Sequence, residues 1–325
     1  DPRGLAQLRA ALADYLARAR GVRAGPERIV VCSGFGHALT LLGPVLRARR
    51  VRAVAVESHG LARHREVLAE AGLRTPALPV DERGARTTDL PGLDGVGAVL
   101  LTAAHQFPTG VALDPHRRAA AVDWARGCGG FVLEDDYDGE FRYDRQPVGA
   151  LQGLDPEHVV HLGTTSKSLA PGLRLGWVVL PERLVPEVER RKGDAEPTCG
   201  AVDQLVLADL LTSGAYDRHV RAMRAAYRRR RDQLASAVAS AGARVTGLDA
   251  GLHAVVELPA GTEDAVVRAA ARRGLAVPGI GHYRHPDAAP HPDALVVGYA
   301  TPSASAWSGA LDALRAALTA APRGR

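Results

Sequence analysis

The stretch Gly163-Thr164-Thr165-Ser166-Lys167-Ser168-Leu169-Ala170-Pro171-Gly172-Leu173-Arg174 decides how the chain is read. Of its 41 basic residues only Lys167 and Lys192 are lysine; the other 39 are arginine. A sequence so biased keeps lysine where arginine cannot serve. Arginine holds its proton to very high pH and is no amine nucleophile, whereas lysine forms a Schiff base with an aldehyde. The run Val159-Val160-His161-Leu162 ahead of it predicts a buried strand feeding a polar loop. From that loop Thr164 and Ser166 can donate to phosphate oxygens, and Arg174 can grip a phosphate as a bidentate fork. Lys192, in Arg190-Arg191-Lys192-Gly193, reads instead as part of a solvated charge run.

A second stretch, Phe131-Val132-Leu133-Glu134-Asp135-Asp136-Tyr137-Asp138, runs a hydrophobic strand straight into carboxylates. Open α/β sheets keep their ligands at that carboxyl end. A pyridoxal phosphate (PLP) site needs a lysine for the aldehyde, a carboxylate to keep the pyridine nitrogen protonated, and an anchor for the phosphate. All three residue types are present, each at a predicted strand end.

Taken with His105-Gln106-Phe107-Pro108-Thr109-Gly110, the extended motif Glu134 to Asp144 and the later Gly251-Leu252-His253, these segments resemble the aminotransferase-like, PLP-binding domain of fold type I. The version they resemble is the one carried by MocR-type regulators of the GntR family. The matches span most of the chain in the family's order. The resemblance implies an α/β fold with a large domain built on a mainly parallel, seven-stranded-type sheet and a smaller C-terminal α+β domain. Expected limits are 1–200 for the large domain, its beginning incomplete, 201–240 for connecting helices and 241–325 for the small domain.

By the same resemblance Lys167 carries the cofactor, Asp135 pairs with the pyridine nitrogen and Tyr137 with the phenolic oxygen. Asp136, Asp138 and Glu140 are expected to be structural. Ser33, Gly34 and Phe35, in a glycine turn opening a helix, are expected to help cradle the phosphate, with Thr164, Ser166 and Arg174. The physical basis is that free N–H groups and the helix dipole face one point there. Three departures stand out. Relatives usually carry Pro-Gly-Tyr where His59, Gly60 and Leu61 stand, which leaves His59 as a substitute contact. Phe107 replaces the asparagine of ordinary aminotransferases. Thr301 stands where several relatives place the arginine that fixes a substrate carboxylate, and Arg284 is a candidate to reach the same space.

Composition bounds the rest. At 325 residues, 46% hydrophobic and 24% charged, the chain can bury a large core, and no apolar run approaches the roughly 18 residues that span a bilayer. Cys32, Cys128 and Cys199 are odd in number and lack metal or disulfide spacing. No metal is expected, the loop holding His282, His285 and His291 included, and that loop is read as exposed or lid-like. Cytoplasmic residence is the default. The net charge of +5 is modest, and Arg228-Arg229-Arg230-Arg231 reads as a solvated helix face more than a nucleic-acid patch.

The leading functional expectation is an effector domain that binds an amino acid or amine through PLP, as a homodimer. DNA would be met only by a winged-helix domain absent from this chain. Alternatives are a free-standing PLP-dependent aminotransferase, or a PLP-binding remnant with neither role. Turnover is expected to be weak, since Thr301 cannot form an arginine's bidentate pair.

Overall fold

The computed structural model describes residues 1–143, 148–193 and 199–320. Asp144, the end of the carboxylate motif, lies outside them. Helix α1 (Ala6–Arg20) buries Leu8, Leu12, Tyr15 and Leu16 at helical spacing, and closes on Gly21 at φ 70°. Then follow β1 (Ile29–Cys32), α2 (Phe35–Ala48), β2 (Ala53–Glu57), α3 (Ala62–Glu70), β3 (Ala77–Leu78) and a hairpin of β4 (Val80–Asp81) and β5 (Gly84–Ala85). The chain continues through β6 (Val96–Leu101), α4 (Pro115–Cys128), β7 (Phe131–Asp135), β8 (Val159–Thr164), β9 (Gly176–Val179) and α5 (Val185–Gly193). Helices α6 (Ala201–Thr212) and α7 (Ala215–Ser240) lead to β10 (Arg244–Thr246), β11 (His253–Glu257), α8 (Glu263–Ala271), β12 (Ala294–Gly298) and α9 (Trp307–Thr319).

Seven strands form one sheet in the order β1-β9-β8-β7-β6-β2-β3. Strand β9 runs antiparallel to both neighbours and the other pairings are parallel, as expected of the fold class. Strands β1, β2, β7, β8 and β9 are buried along their whole length because helices cover both faces, α2, α3 and α5 on one and α1, α4 and α6 on the other. A second, antiparallel sheet of β10, β11 and β12 packs with α8, α9 and the later turns of α7. The two parts approach closely at Gly251. Its φ is +70°, and a Cβ there would lie 2.2 Å from the His105 ring and 2.6 Å from Asp138, so only glycine fits.

Parallel neighbours end together. Val56 lies opposite Leu100, Leu101 opposite Glu134, and Asp135 opposite Leu162. Glu57, Thr102, Asp135 and Thr164 therefore emerge along one edge of the sheet. Successive residues of a strand point to opposite faces, and this sorts the three carboxylates of β7 and its end. Glu134 accepts the backbone N–H groups of Leu151 and Gln152 and sits 3.3 Å from His161. Asp136 accepts Arg20 Nε at 2.6 Å and Nη2 at 2.8 Å, while Arg20 Nη1 donates to the carbonyls of Gly139 and Val148. Asp135, between them, faces the other way.

Two expectations are corrected. Lys192 is not solvated: it is 2% exposed, and Nζ donates to the Pro2 carbonyl because α5 carries it inward against the chain start. The loop at 280–293 is exposed over most of its length, as expected, but the segment 57–61 that it lies against is mostly buried. Glu57, Ser58, His59 and His285 are buried, and the two loops bond to each other through Gly60 N to Tyr283 O and His285 N to Ser58 O. The basic run splits, because α7 turns Arg228 and Arg229 to solvent while Arg230 donates to the Tyr299 and Ala300 carbonyls and Arg231 pairs with Asp249.

Removing one member of a buried, hydrogen-bonded ion pair strands the other, at a cost of about 3–5 kcal/mol. Arg20→Leu should therefore destabilise the fold by that order in denaturant titration. Arg63→Ala, which removes only an exposed pairing with Glu66 and Glu70, should leave the midpoint unchanged.

Candidate functional site

Above that edge of the sheet lies a cavity of about 760 Å³, within the range of small-molecule sites. Lys167, Asp135, Tyr137, Phe107, Phe35, Thr164, Ser166, Arg174, His59 and Thr301 all contribute to its wall. Segments up to 266 residues apart in sequence (Phe35 to Thr301) are thus brought to one space. Ser33 and Gly34 stand behind the wall: the Ser33 carbonyl accepts Arg174 Nη2 at 2.8 Å, and a Cβ on Gly34 would come within 3.4 Å of the same guanidinium. Arg284 is exposed, donates to the Ala288 carbonyl at 3.1 Å, and is not among the residues forming the wall.

Asp135 is 6% exposed, and its Oδ1 is buried with no hydrogen-bond partner. Burial, with Asp138, Asp136 and Glu57 nearby, pushes its carboxyl well above the usual range, only partly opposed by Lys167. A cationic N–H donor placed against Oδ1 would remove both penalties. Tyr137 donates its hydroxyl to the His105 carbonyl at 3.2 Å, and burial pushes its pKa up, so it remains a neutral phenol able to donate. Phe107 meets Tyr137, His253 and Tyr283 edge to face, which fixes one side of the cavity.

The part of the wall expected to take a phosphate is the loop after β8. Thr164 Oγ1 donates to Ser166 Oγ at 3.0 Å, and Thr165 Oγ1 donates to the Leu175 carbonyl. Arg174 holds φ 47°, a left-handed value unusual for a residue with a Cβ, and this turns its guanidinium toward the start of α2. Phe35 and Gly36, at the first turn of α2, border the same end.

Several wall residues carried no signal in the sequence. Glu57 accepts Thr102 Oγ1 at 2.5 Å, Thr102 N at 3.2 Å and Gln106 Nε2 at 3.1 Å, and burial pushes its carboxyl up to about 7. His64, Arg65 and Tyr227 also line the cavity. Burial lowers His59 and His64 to about 4, so both are neutral near pH 7. Next to the cavity His105, Asp138 and His253 bring ligand-type atoms within 4.8 Å of one another. Those atoms are engaged: His105 Nδ1 lies 2.8 Å from Asp138 Oδ2, and His253 Nε2 donates to the Pro108 carbonyl.

The family model described as aminotransferase class I and II matches residues 1–288. Among curated proteins, the HTH-type pyridoxine biosynthesis transcriptional regulator PdxR of Corynebacterium glutamicum is 34% identical over 282 residues, 86% of this chain and 61% of that protein. The probable rhizopine catabolism regulatory protein MocR of Rhizobium meliloti is 30% identical over 281 residues, 84% of this chain and 56% of that protein. The chain thus spans about six-tenths of the length of these relatives. A crystal structure of Pyrococcus horikoshii kynurenine aminotransferase, in complex with PMP, superposes with a TM-score of 0.85 over 98% of this chain and 81% of that one, at 24% identity. Among the described residues no helix is long and apolar enough to cross a membrane.

A glutamate that titrates near 7 when folded and near 4.3 when unfolded binds more protons in the folded state between those values, so its contribution falls as pH rises through that window. Glu57→Gln keeps an acceptor for Thr102 and removes the charge. Relative to the unmutated protein its stability should rise from pH 5 to pH 8, read by melts of both proteins across that range. Parallel profiles would contradict the assignment.

Proposed function

We propose that this chain, which belongs to the class I and II aminotransferase family, holds PLP in the cavity and uses it to sense an amino compound on behalf of a transcription regulator. The chain is related to MocR-type regulators over more than four-fifths of its length. The observation that carries the cofactor reading is the bare Oδ1 of Asp135, buried on the wall that also bears Lys167. A pyridinium N–H is the cationic donor that this atom lacks. When bound, PLP supplies an aldehyde that takes up amines reversibly and an electron-withdrawing ring.

The chain's own residues divide the remaining work. Lys167 offers the amine that anchors the aldehyde carbon, and holds or returns a proton there. Tyr137 is a hydroxyl donor for the ring's phenolic oxygen. Arg174, Thr164, Ser166 and the first turn of α2 at Phe35 supply donors for the phosphate, with Ser33 and Gly34 setting the position of Arg174. Phe107 closes one side of the cavity. His59 and Thr301 border the space left for the ligand, and Arg284 does not face it here.

Sensing is favoured over rapid turnover by Thr301. An amino acid must be held in one orientation for fast proton removal, and displacement by ~1 Å can cost roughly a hundredfold. A threonine leaves the small-domain side of the cavity without a guanidinium grip, so any such grip must come from the large domain and hold the ligand in a different orientation. Binding alone already changes the state of the protein, which is what a sensor requires. The regulator reading places the chain in the cytoplasm as a homodimer, with DNA met by a different domain. The exposed face of Val202, Leu205 and Val206 on α6 is apolar surface of the kind that a second subunit covers.

Protein loaded with PLP should absorb in the visible, and borohydride should fix the cofactor to the peptide containing Lys167; Lys167→Arg should abolish the fixation. Fixation at Lys192, whose amine is turned inward, or no cofactor uptake, would contradict the reading. With a panel of amino acids and amines, spectral shifts without keto-acid formation are expected, and multiple turnovers per second on any member would favour an enzyme.

A further inference from the structure

Among the described residues, five side chains on the cavity wall carry or can carry a full charge near neutral pH: Lys167, Asp135, Arg174, Glu57 and Arg65. The first three are occupied by the cofactor in the function proposed above, on which this inference rests. Glu57 is turned to Thr102 and Gln106, and burial keeps its carboxyl partly protonated near pH 7. Among the described residues, Arg65 is left as the one permanent charge facing whatever else the cavity holds.

Its environment differs from that of its neighbour. Arg63, two residues earlier on α3, points to solvent and pairs with Glu66 and Glu70. Arg65 is half-buried, makes one long hydrogen bond from Nη1 to the Gly60 carbonyl at 3.3 Å, and among the described residues has no carboxylate within ion-pair distance. A guanidinium carries five N–H donors in a planar fork, so most of this one is unused. The wall around it is apolar or neutral, with Phe35, Leu61, His59 and His64. Withdrawing a cation from water without a partner is unfavourable, and a carboxylate in fork geometry is the group that compensates it best.

We infer that the ligand is an amino compound bearing a carboxylate, and that Arg65 is the residue that binds this carboxylate and makes the site prefer amino acids to plain amines. The negative end of the ligand therefore lies toward α3, on the β2 side of the cavity, and not toward Thr301 in the small domain. Thr301 and Tyr227 are left to border the uncharged part of the ligand.

The test uses PLP-loaded protein and matched pairs: L-phenylalanine with 2-phenylethylamine, L-leucine with 3-methylbutylamine, and 5-aminopentanoate with pentylamine. Dissociation constants are taken from the change in cofactor absorbance and from calorimetry. In the unmutated protein the acid of at least one pair should bind roughly tenfold to a hundredfold more tightly than its amine, the range expected for one charge-assisted fork. Arg65→Gln should bring that ratio close to one by weakening the acid, and Arg65→Lys should keep part of it; the cofactor band and melting temperature report whether each variant is folded and loaded. Amines that bind the unmutated protein as tightly as their acids would overturn the inference, whatever the variants do. So would an acid preference that survives Arg65→Gln, or failure of every acid to bind while the cofactor band is present. Absence of the cofactor band from the unmutated protein is a separate failure, which overturns the PLP reading and this inference with it.

Discussion

Three consecutive carboxylates at the end of a buried strand cannot all be left charged without partners, and the site follows from how that conflict is resolved. Strand geometry sends Glu134 and Asp136 to one face and Asp135 to the other. On the first face the two are satisfied inside the protein, by backbone N–H groups for Glu134 and by the Arg20 fork for Asp136. On the second face nothing among the described residues completes Asp135 Oδ1. Asp135 is therefore held at a fixed point with its carboxyl raised, and among the described residues no cationic donor reaches its Oδ1.

The rest of the architecture keeps that point fixed and surrounds it. Parallel pairing of β2, β6, β7 and β8 brings Glu57, Thr102, Asp135 and Thr164 to one edge, and the short approach at Gly251 sets the small domain against His105 and Asp138. Tyr299 and Tyr143 both donate to the Gly251 carbonyl, which ties the second sheet to the turn after β7. The small domain is also joined to the large one through Leu248 N to Gly110 O and Gly60 N to Tyr283 O.

Much of this was readable before the fold was known, and for physical reasons. Lys167 stands out because a chain with 39 arginines makes lysine conspicuous. Asp135 stands out because a strand that ends in carboxylates is an uncommon use of a buried edge. The same bias hid Arg65: in so arginine-rich a sequence one more arginine has no contrast, and its lack of a partner appears only when α3 is folded over the cavity. Glu57 was invisible for another reason. Its role depends on β2 lying beside β6, a pairing between strands separated by a helix and a hairpin. Lys192 was misread because its charge run straddles a helix face, and three basic residues in a row cannot all point the same way.

Replacement of Asp135 by asparagine separates the two consequences of a carboxylate that waits for an external cation. Without cofactor, Asp135→Asn should be at least as stable as the unmutated protein, because an uncomfortable buried acid becomes a neutral amide. The same substitution should weaken PLP binding by roughly a hundredfold or more, since a desolvated charge pair is worth about 2–5 kcal/mol. The direct measurement is PLP affinity by absorbance titration, set beside the melting temperature of the cofactor-free proteins. Higher or equal apo stability with greatly reduced PLP affinity is the predicted result; unchanged PLP affinity would contradict the role assigned to Asp135 and, with it, the reading of the site.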